Sequence, residues 1–383
     1  MMRPDSVTFH QQFPEEPAMP MRSVCCFLFS VAFICFAGMA RAEGQREVTI
    51  LFSGDMMGYS SPVPACGGKT TGGVARVATV RRELAGSGSR VVLVDAGGVY
   101  PSQSFGPTAS AMVHKVGLEA MRATGYDALN LASIDLQDGI GLVDQAEKEF
   151  DLPLVTTNMV YVDTGKPFKK PYIVTDAGGV RVAVLGISRP DALTLMPSAR
   201  LGTVLTILPP EEALAAVLPR VKAESDVIVL LSHNAYGDTT ALMERFPDID
   251  LAVVAGADAS QSCGCKAPTG AESAVKPSDR LARVFPVFNR LSMLGELKLR
   301  VGGQGRPEIA GFTYLPLDYR VALDEEITSI TGKDVYRGAV AAMKVQYDEM
   351  QRQMERETTE SLKMSPEDFF KTLQTGQDQG GAK

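Results

Sequence analysis

The chain holds 383 residues, 45% of them apolar and 22% charged, with a formal charge of −7. That is ample material for a sizeable core, and an acidic balance without a basic run argues against a nucleic-acid polymer as partner. Tryptophan is absent and aromatic residues make up only 7%, which weakens any base-stacking or sugar-platform role.

From Met21 to Ala42 the sequence reads one Arg, an apolar run over Val24 to Met39, and then Ala-Arg-Ala. This is the layout of a secretory signal cut after Ala42, with residues 1–20 as a hydrophilic extension ahead of it. Whether translation starts at Met1 or Met21 stays open. The run of about 16 apolar residues is short for a membrane span. The mature chain is therefore expected in the periplasm or secreted, without a transmembrane domain; an uncleaved N-terminal anchor is the alternative. Discounting the signal removes Cys25, Cys26 and Cys35 and leaves Cys66, Cys263 and Cys265. An odd count in an oxidising compartment implies a disulfide with a spare thiol, a metal site, or an intermolecular bond.

The mature chain opens on a strand over 47–53 that stops at Gly54-Asp55, followed by a Gly/Pro/Ser loop over 54–72. A helix is predicted over 73–85, with Val74, Val77, Val80 and Leu84 at helical spacing. RVVLVD returns as a buried strand ending on Asp95. A helix over 107–123 begins with Pro107 at a favourable first-turn position, and the strand DALNLA follows. A helix over 139–149 then precedes a short strand, LPLVTTN. Such alternation predicts mostly parallel pairing with right-handed crossovers. PYIVTD and VRVAVLGIS read as a hairpin through Gly178-Gly179. Helix 210–223, strand 226–232, a short helix over 239–245 and strand 250–255 form another α/β run. RVFPVFNRLSMLGELKLRV and GFTYLPL read as antiparallel strands. One mixed sheet packed on a second, with helices outside both, fits this order better than a single doubly wound sheet.

The tail is helical over 326–375 and polar over 376–383. Val340, Met343, Tyr347, Met350 and Met354 form a narrow apolar seam at spacings of three and four. The seam serves either to dock helix 334–357 on the parent domain or to pair with a protein partner or a second copy. The terminal 376–383 is expected to be disordered.

The strand ends deliver Asp55, Asp95, Ser133 to Asp135, His233 and Gly256 to Ser260 to one rim, where an α/β enzyme keeps its chemistry. The ordered set SGDMMG, GGVARVATVRREL, LVDAGGVYPS, GYDALNLASIDLQDG, VIVLLSHN, DIDLAVVAGADAS and LGELKLRV resembles the 5′-nucleotidase branch of the calcineurin-like metallophosphoesterases. The resemblance covers residues 47–325 and implies a four-layer αββα sandwich. It also implies two divalent metals held by carboxylates and imidazoles, with a bridging hydroxide that attacks phosphorus.

Carried over position by position, that resemblance leaves only Asp55 and His233 as residual metal ligands. Met57 stands where the family has its first His, and a thioether is a poor substitute for imidazole on a borderline dication. Gly98 stands for the bridging Asp. Ser133 and Ile134 stand for the Asn and the catalytic His, and Ala257 and Ala259 for the two His of the fifth turn. Beyond the extension the chain has only His114 and His233, so a His-rich dinuclear centre is not expected. Equally open for Asp55 is a turn-capping role, and for His233 a hydrogen-bonded remnant. Asp135 and Asp138 read most simply as solvated loop residues. The base-binding second domain of the family has no counterpart after about residue 325, so no nucleotide preference is inherited.

The resemblance also makes neighbours of the loops that carry Cys66 and Cys263-Gly264-Cys265. Three readings follow: a structural disulfide, a redox pair with a resolving thiol, or a thiolate site for one divalent metal such as zinc, completed by His233 or Asp55. The expectation is an exported protein of metallophosphoesterase fold, non-hydrolytic, with one of these thiol roles. A phosphohydrolase with a reduced metal site and a protein-interaction module are the alternatives.

Overall fold

The computed structural model describes residues 46–65, 69–101, 107–190, Leu193, 201–256, 283–302 and 306–332, with helical positions at Glu349, Arg352, Gln353, Glu355 and Arg356. The expected signal segment, Cys66, Cys263, Cys265, Ala257, Ala259, the apolar seam and the terminal octapeptide all lie outside the described residues.

Eleven principal strands build two mixed sheets. The first contains β1 (Arg46–Ser53), β2 (Val91–Asp95), β3 (Ala128–Asn130), β4 (Leu154–Val155), β10 (Met293–Val301) and β11 (Glu308–Pro316). The second contains β5 (Tyr172–Asp176), β6 (Arg181–Ser188), β7 (Val227–His233), β8 (Leu251–Val254) and β9 (Val284–Pro286). The six-stranded order is β11-β10-β1-β2-β3-β4 and the five-stranded order β9-β8-β7-β6-β5. Strands β1 to β4 pair in parallel, and β10 and β11 close the sheet antiparallel. In the second sheet β6 to β9 are parallel, and the hairpin partner β5 is antiparallel.

The period-2 geometry of a strand explains the layering. In β1, Leu51 packs outward, while Val48, Ile50 and Phe52 face the second sheet. In β7, Val227, Val229 and Leu231 meet that inner core, whereas Ile228 and Leu230 point to the other side. Strands covered on both faces read as continuous apolar runs, as both do here. The outer face of the first sheet is covered by α1 (Val74–Gly86), α2 (Pro107–Thr124) and α3 (Ile140–Phe150). That of the second is covered by α4 (Pro210–Glu224) and α5 (Tyr236–Arg245). This is the expected αββα sandwich.

At the inner core the ring of Phe52 stacks on Phe312 and meets Phe285 and Tyr314 at centroid distances of 5.9–6.4 Å. Gly295, directly opposite Phe52 in the β1–β10 register, leaves the room: a Cβ there would lie inside the ring. The helix signature GGVAR has an equally local cause. Arg76 is 3% exposed, and its guanidinium donates to the carbonyls of Gly72 and Val321 and to Thr70 Oγ1. It thereby ties the start of α1 to the segment after β11.

One expectation about the strands needs correction, and one small ladder was not foreseen. Val284–Pro286 does not join the antiparallel pair; it runs parallel to β8 at the edge of the other sheet. The segment Met159–Tyr161 pairs with Leu205–Ile207 in a small separate ladder that no periodicity signals at three residues a side.

Helix α6 (Glu325–Thr331) buries Ile327 against the first layer. Its first turn is closed by Asp324, whose carboxylate accepts from Ile327 N at 3.0 Å. Asp324→Ala is expected to cost about 1 kcal/mol, the ordinary worth of such a cap, as a lowered denaturant midpoint. An unchanged midpoint would exclude this role.

Candidate functional site

The site grows from the end of β1. Asp55 and Met57 both sit in the left-handed region, at φ 48° and 54°, which Asp tolerates better than Met. Neighbouring loops hold them there. Asp55 N donates to Gly97 O, Met57 N to Gly98 O and Gly58 N to Val99 O, at 2.8–2.9 Å. From the far side Arg290 N, itself left-handed at φ 57°, donates to Asp55 O at 2.9 Å. Strained non-glycine residues of this kind persist only where the surroundings over-determine them.

The Asp55 carboxylate is buried, and both oxygens are engaged. Oδ2 accepts from Gly256 N at 2.8 Å, and Oδ1 lies 3.2 Å from Nε2 of His233 at the end of β7. Burial alone would lower the His233 pKa, but the hydrogen bond to Asp55 and its charge outweigh that and raise it. The pair is therefore an imidazolium bonded to a carboxylate over a wider pH range than for a free histidine.

Gly98 lies against this pair at φ 82°. A Cβ built on it would overlap Asp55 Oδ1 and stand 3.2 Å from His233 Nε2. Ser133 is buried and Ile134 half-buried in a 3-10 turn over Ser133–Leu136.

Asp135 is not a solvated loop residue. It is 2% exposed and accepts backbone N–H groups from Gly98 (3.1 Å), Tyr100 (2.8 Å) and Ala132 (3.0 Å), so it fixes the loop that carries Gly98. Its place three residues after Ala132, where a helix-entry acid returns to the backbone, was the available signal. Asp138 is likewise engaged, accepting from Tyr100 Oη at 2.9 Å.

Asp95 ends β2 fully buried, taking Ser53 Oγ at 2.6 Å and Gly97 N at 2.8 Å. Burial pushes its pKa up to about 7; the charges of Asp135 and Asp55 add to that, and the two hydrogen bonds oppose it. His114, inside α2, packs edge-on against Tyr100 at 5.3 Å, and burial lowers its pKa. Among the described residues no group of three or more His, Cys, Asp or Glu is placed to hold a metal ion.

Comparison with known proteins gives the architecture its relatives. No protein-family model matches the chain. The 5′-nucleotidase of Vibrio cholerae is 23% identical over 212 residues, covering 52% of this chain and 38% of its own length. The snake venom 5′-nucleotidase of Gloydius brevicauda is 25% identical over 237 residues, covering 59% and 39%. The crystal structure of the calcineurin-like phosphoesterase YfkN from Bacillus subtilis superposes with a TM-score of 0.62 at 19% identity, over 78% of this chain and 99% of that one. The chain is a distant relative of the 5′-nucleotidase branch of the calcineurin-like metallophosphoesterases. It spans about two-fifths of the length of the curated relatives it matches. Of the positions carried over from that branch, the fold brings His233 and Gly98 against the Asp55 carboxylate, and Met57 is tied to Gly98 through its backbone N–H. Among the described residues no helix is long and apolar enough to cross a membrane.

Proposed function

We propose that this metallophosphoesterase-fold protein is exported and does not hydrolyse phosphoesters through a dinuclear centre. In this reading the proton of His233 provides the positive charge that Asp55 would otherwise take from a cation. What supports it is the Gly98 contact: the position of the family's bridging carboxylate is filled by Asp55 itself, which is already bonded to His233 Nε2 and Gly256 N. Two mutually bonded donors do not fit a pair of dications, each of which needs four or more ligands.

The role left to the rim belongs, in this proposal, to Cys66, Cys263 and Cys265, as a disulfide, an exchanging thiol set or a thiolate metal site. The described flanks bear on one of them. Val63–Pro64 pairs with Thr70–Thr71, so Cys66 falls between two paired segments.

The test is hydrolysis of p-nitrophenyl phosphate, its diester and AMP with added manganese or zinc, alongside elemental analysis and a free-thiol count. No turnover above buffer is expected. Turnover that vanishes in Asp55→Ala and His233→Ala would establish the phosphohydrolase alternative, which the names of the relatives favour. Stoichiometric zinc with no disulfide would select a thiolate site; no metal with one free thiol would select the disulfide.

A further inference from the structure

A cavity of about 360 Å³ lies over the carboxyl ends of β6 and β7 and between the starts of α4 and α5, with Asp55 not among its described lining residues. Crevices at such strand ends are where open α/β sheets receive small ligands, and the volume lies in the range of small-molecule sites.

Its floor carries the independent sign of a ligand. Asn234 is only 7% exposed. Its Oδ1 accepts from the N–H of Ala235, which turns Nδ2 the other way, and among the described residues Nδ2 has no partner. Nδ2 is thus a donor left open to the cavity, and the cavity's occupant is expected to present an acceptor to it. The first turn of α5 adds donors: no side chain caps it, as expected for an N-cap Ala. The acceptors come from the carboxylates of Glu211 and Asp238 in the first turns of α4 and α5. Pro190 and Pro209 supply an apolar edge.

The charge balance selects among ligand classes. Among the described lining residues Arg189 is the one cation beside two carboxylates, Glu211 and Asp238, a balance that disfavours an anion. A cation finds only two carboxylates and no third protein ligand of the kind a metal needs among the described residues. A ligand with several hydroxyls is donor and acceptor at once and matches acids and amide together, while its C–H face lies on proline rings.

We propose that this cavity binds a neutral, polyhydroxylated ligand of monosaccharide size, through Asn234, Glu211 and Asp238. The inference does not depend on the state of the Asp55–His233 pair.

Saturation-transfer NMR of the purified protein with D-ribose, D-glucose and inorganic phosphate tests it. At least one sugar is expected to give a saturable signal, with affinity lowered about tenfold or more for each hydrogen-bonding group removed in Asn234→Ala and Asp238→Ala. Circular dichroism monitors folding, and the exposed Asp238 serves as the variant least coupled to it. Asp55→Ala should bind sugar as the parent does, which separates this site from the proposed function. The proposal is overturned by no saturable signal from either sugar, by equal binding in the folded Asp238→Ala protein, or by preference for phosphate.

Discussion

Asp95→Asn is expected to remove a loss of stability that the parent protein suffers between mildly acidic and alkaline pH. Asp95 holds its proton up to about pH 7 in the folded chain, against about 3.9 when unfolded. The folded state therefore binds the proton more tightly. Stability is fully present below the unfolded pKa and declines as pH rises through the folded one. Three units correspond to about 4 kcal/mol in all, and roughly 2–3 kcal/mol of that falls between pH 5 and 8. Asn preserves the packing, since its carbonyl can take Gly97 N and its amide can donate to Ser53 Oγ, which also lies 2.9 Å from Tyr126 Oη. His233, whose pKa is also raised, contributes a slope of the same sign in both proteins and cancels in the difference. Urea unfolding of both proteins at pH 5 and pH 8 measures the effect. Parallel pH dependences would show that Asp95 is ionised in the folded state throughout.

The contrast between Asp95 and Asp55 shows how far the sequence can be read. Both end apolar strands, and the pattern alone places both at the carboxyl rim. Strand and helix positions followed from such runs because β2, β6, β7 and the inner part of β1 are covered on both faces and are dominated by apolar residues. Pairing was less legible. The run VFPVF is compatible with either sheet, and only the tertiary position of Val284–Pro286 beside β8 assigns it. Depth was not legible at all. Asp95 and Asp135 are spelled like surface turn residues, yet each is buried and saturated with backbone and hydroxyl donors. Their partners come from segments up to about forty residues away, and no local periodicity reports such a distance. Met57 and Gly98 were placed at strand ends by the runs SGDMMG and LVDAGG that hold them. That Asp55 would turn onto Gly98 required the left-handed backbone at both residues, which the sequence signals only by Asp and Gly being tolerant of it.

The larger destabilisation is expected at Gly98. On the proposed correspondence with the family, Gly98→Asp would return a carboxylate to the place of the bridging ligand, and the simplest expectation from that resemblance is recovery of a metal site. The geometry argues for the opposite. At φ 82° any side chain costs about 1–2 kcal/mol. The new Cβ would also overlap Asp55 Oδ1 and lie 3.2 Å from Asp55 Cα. Asp55 cannot simply swing aside, because doing so abandons Gly256 N and His233 Nε2, charge-assisted bonds of roughly 1.5–3 kcal/mol each. Gly98→Ala should therefore lose about 3 kcal/mol or more in urea unfolding, and Gly98→Asp more again, since a second buried anion faces Asp55 and Asp135. Added manganese should not restore the difference, because a cation stabilises the folded state only by binding it, and Asp55 stays committed to His233 Nε2 and Gly256 N. A Gly98→Asp protein that regains parental stability with manganese and hydrolyses a phosphoester would mean that Asp55 and His233 part readily, and that one residue separates this chain from an active relative.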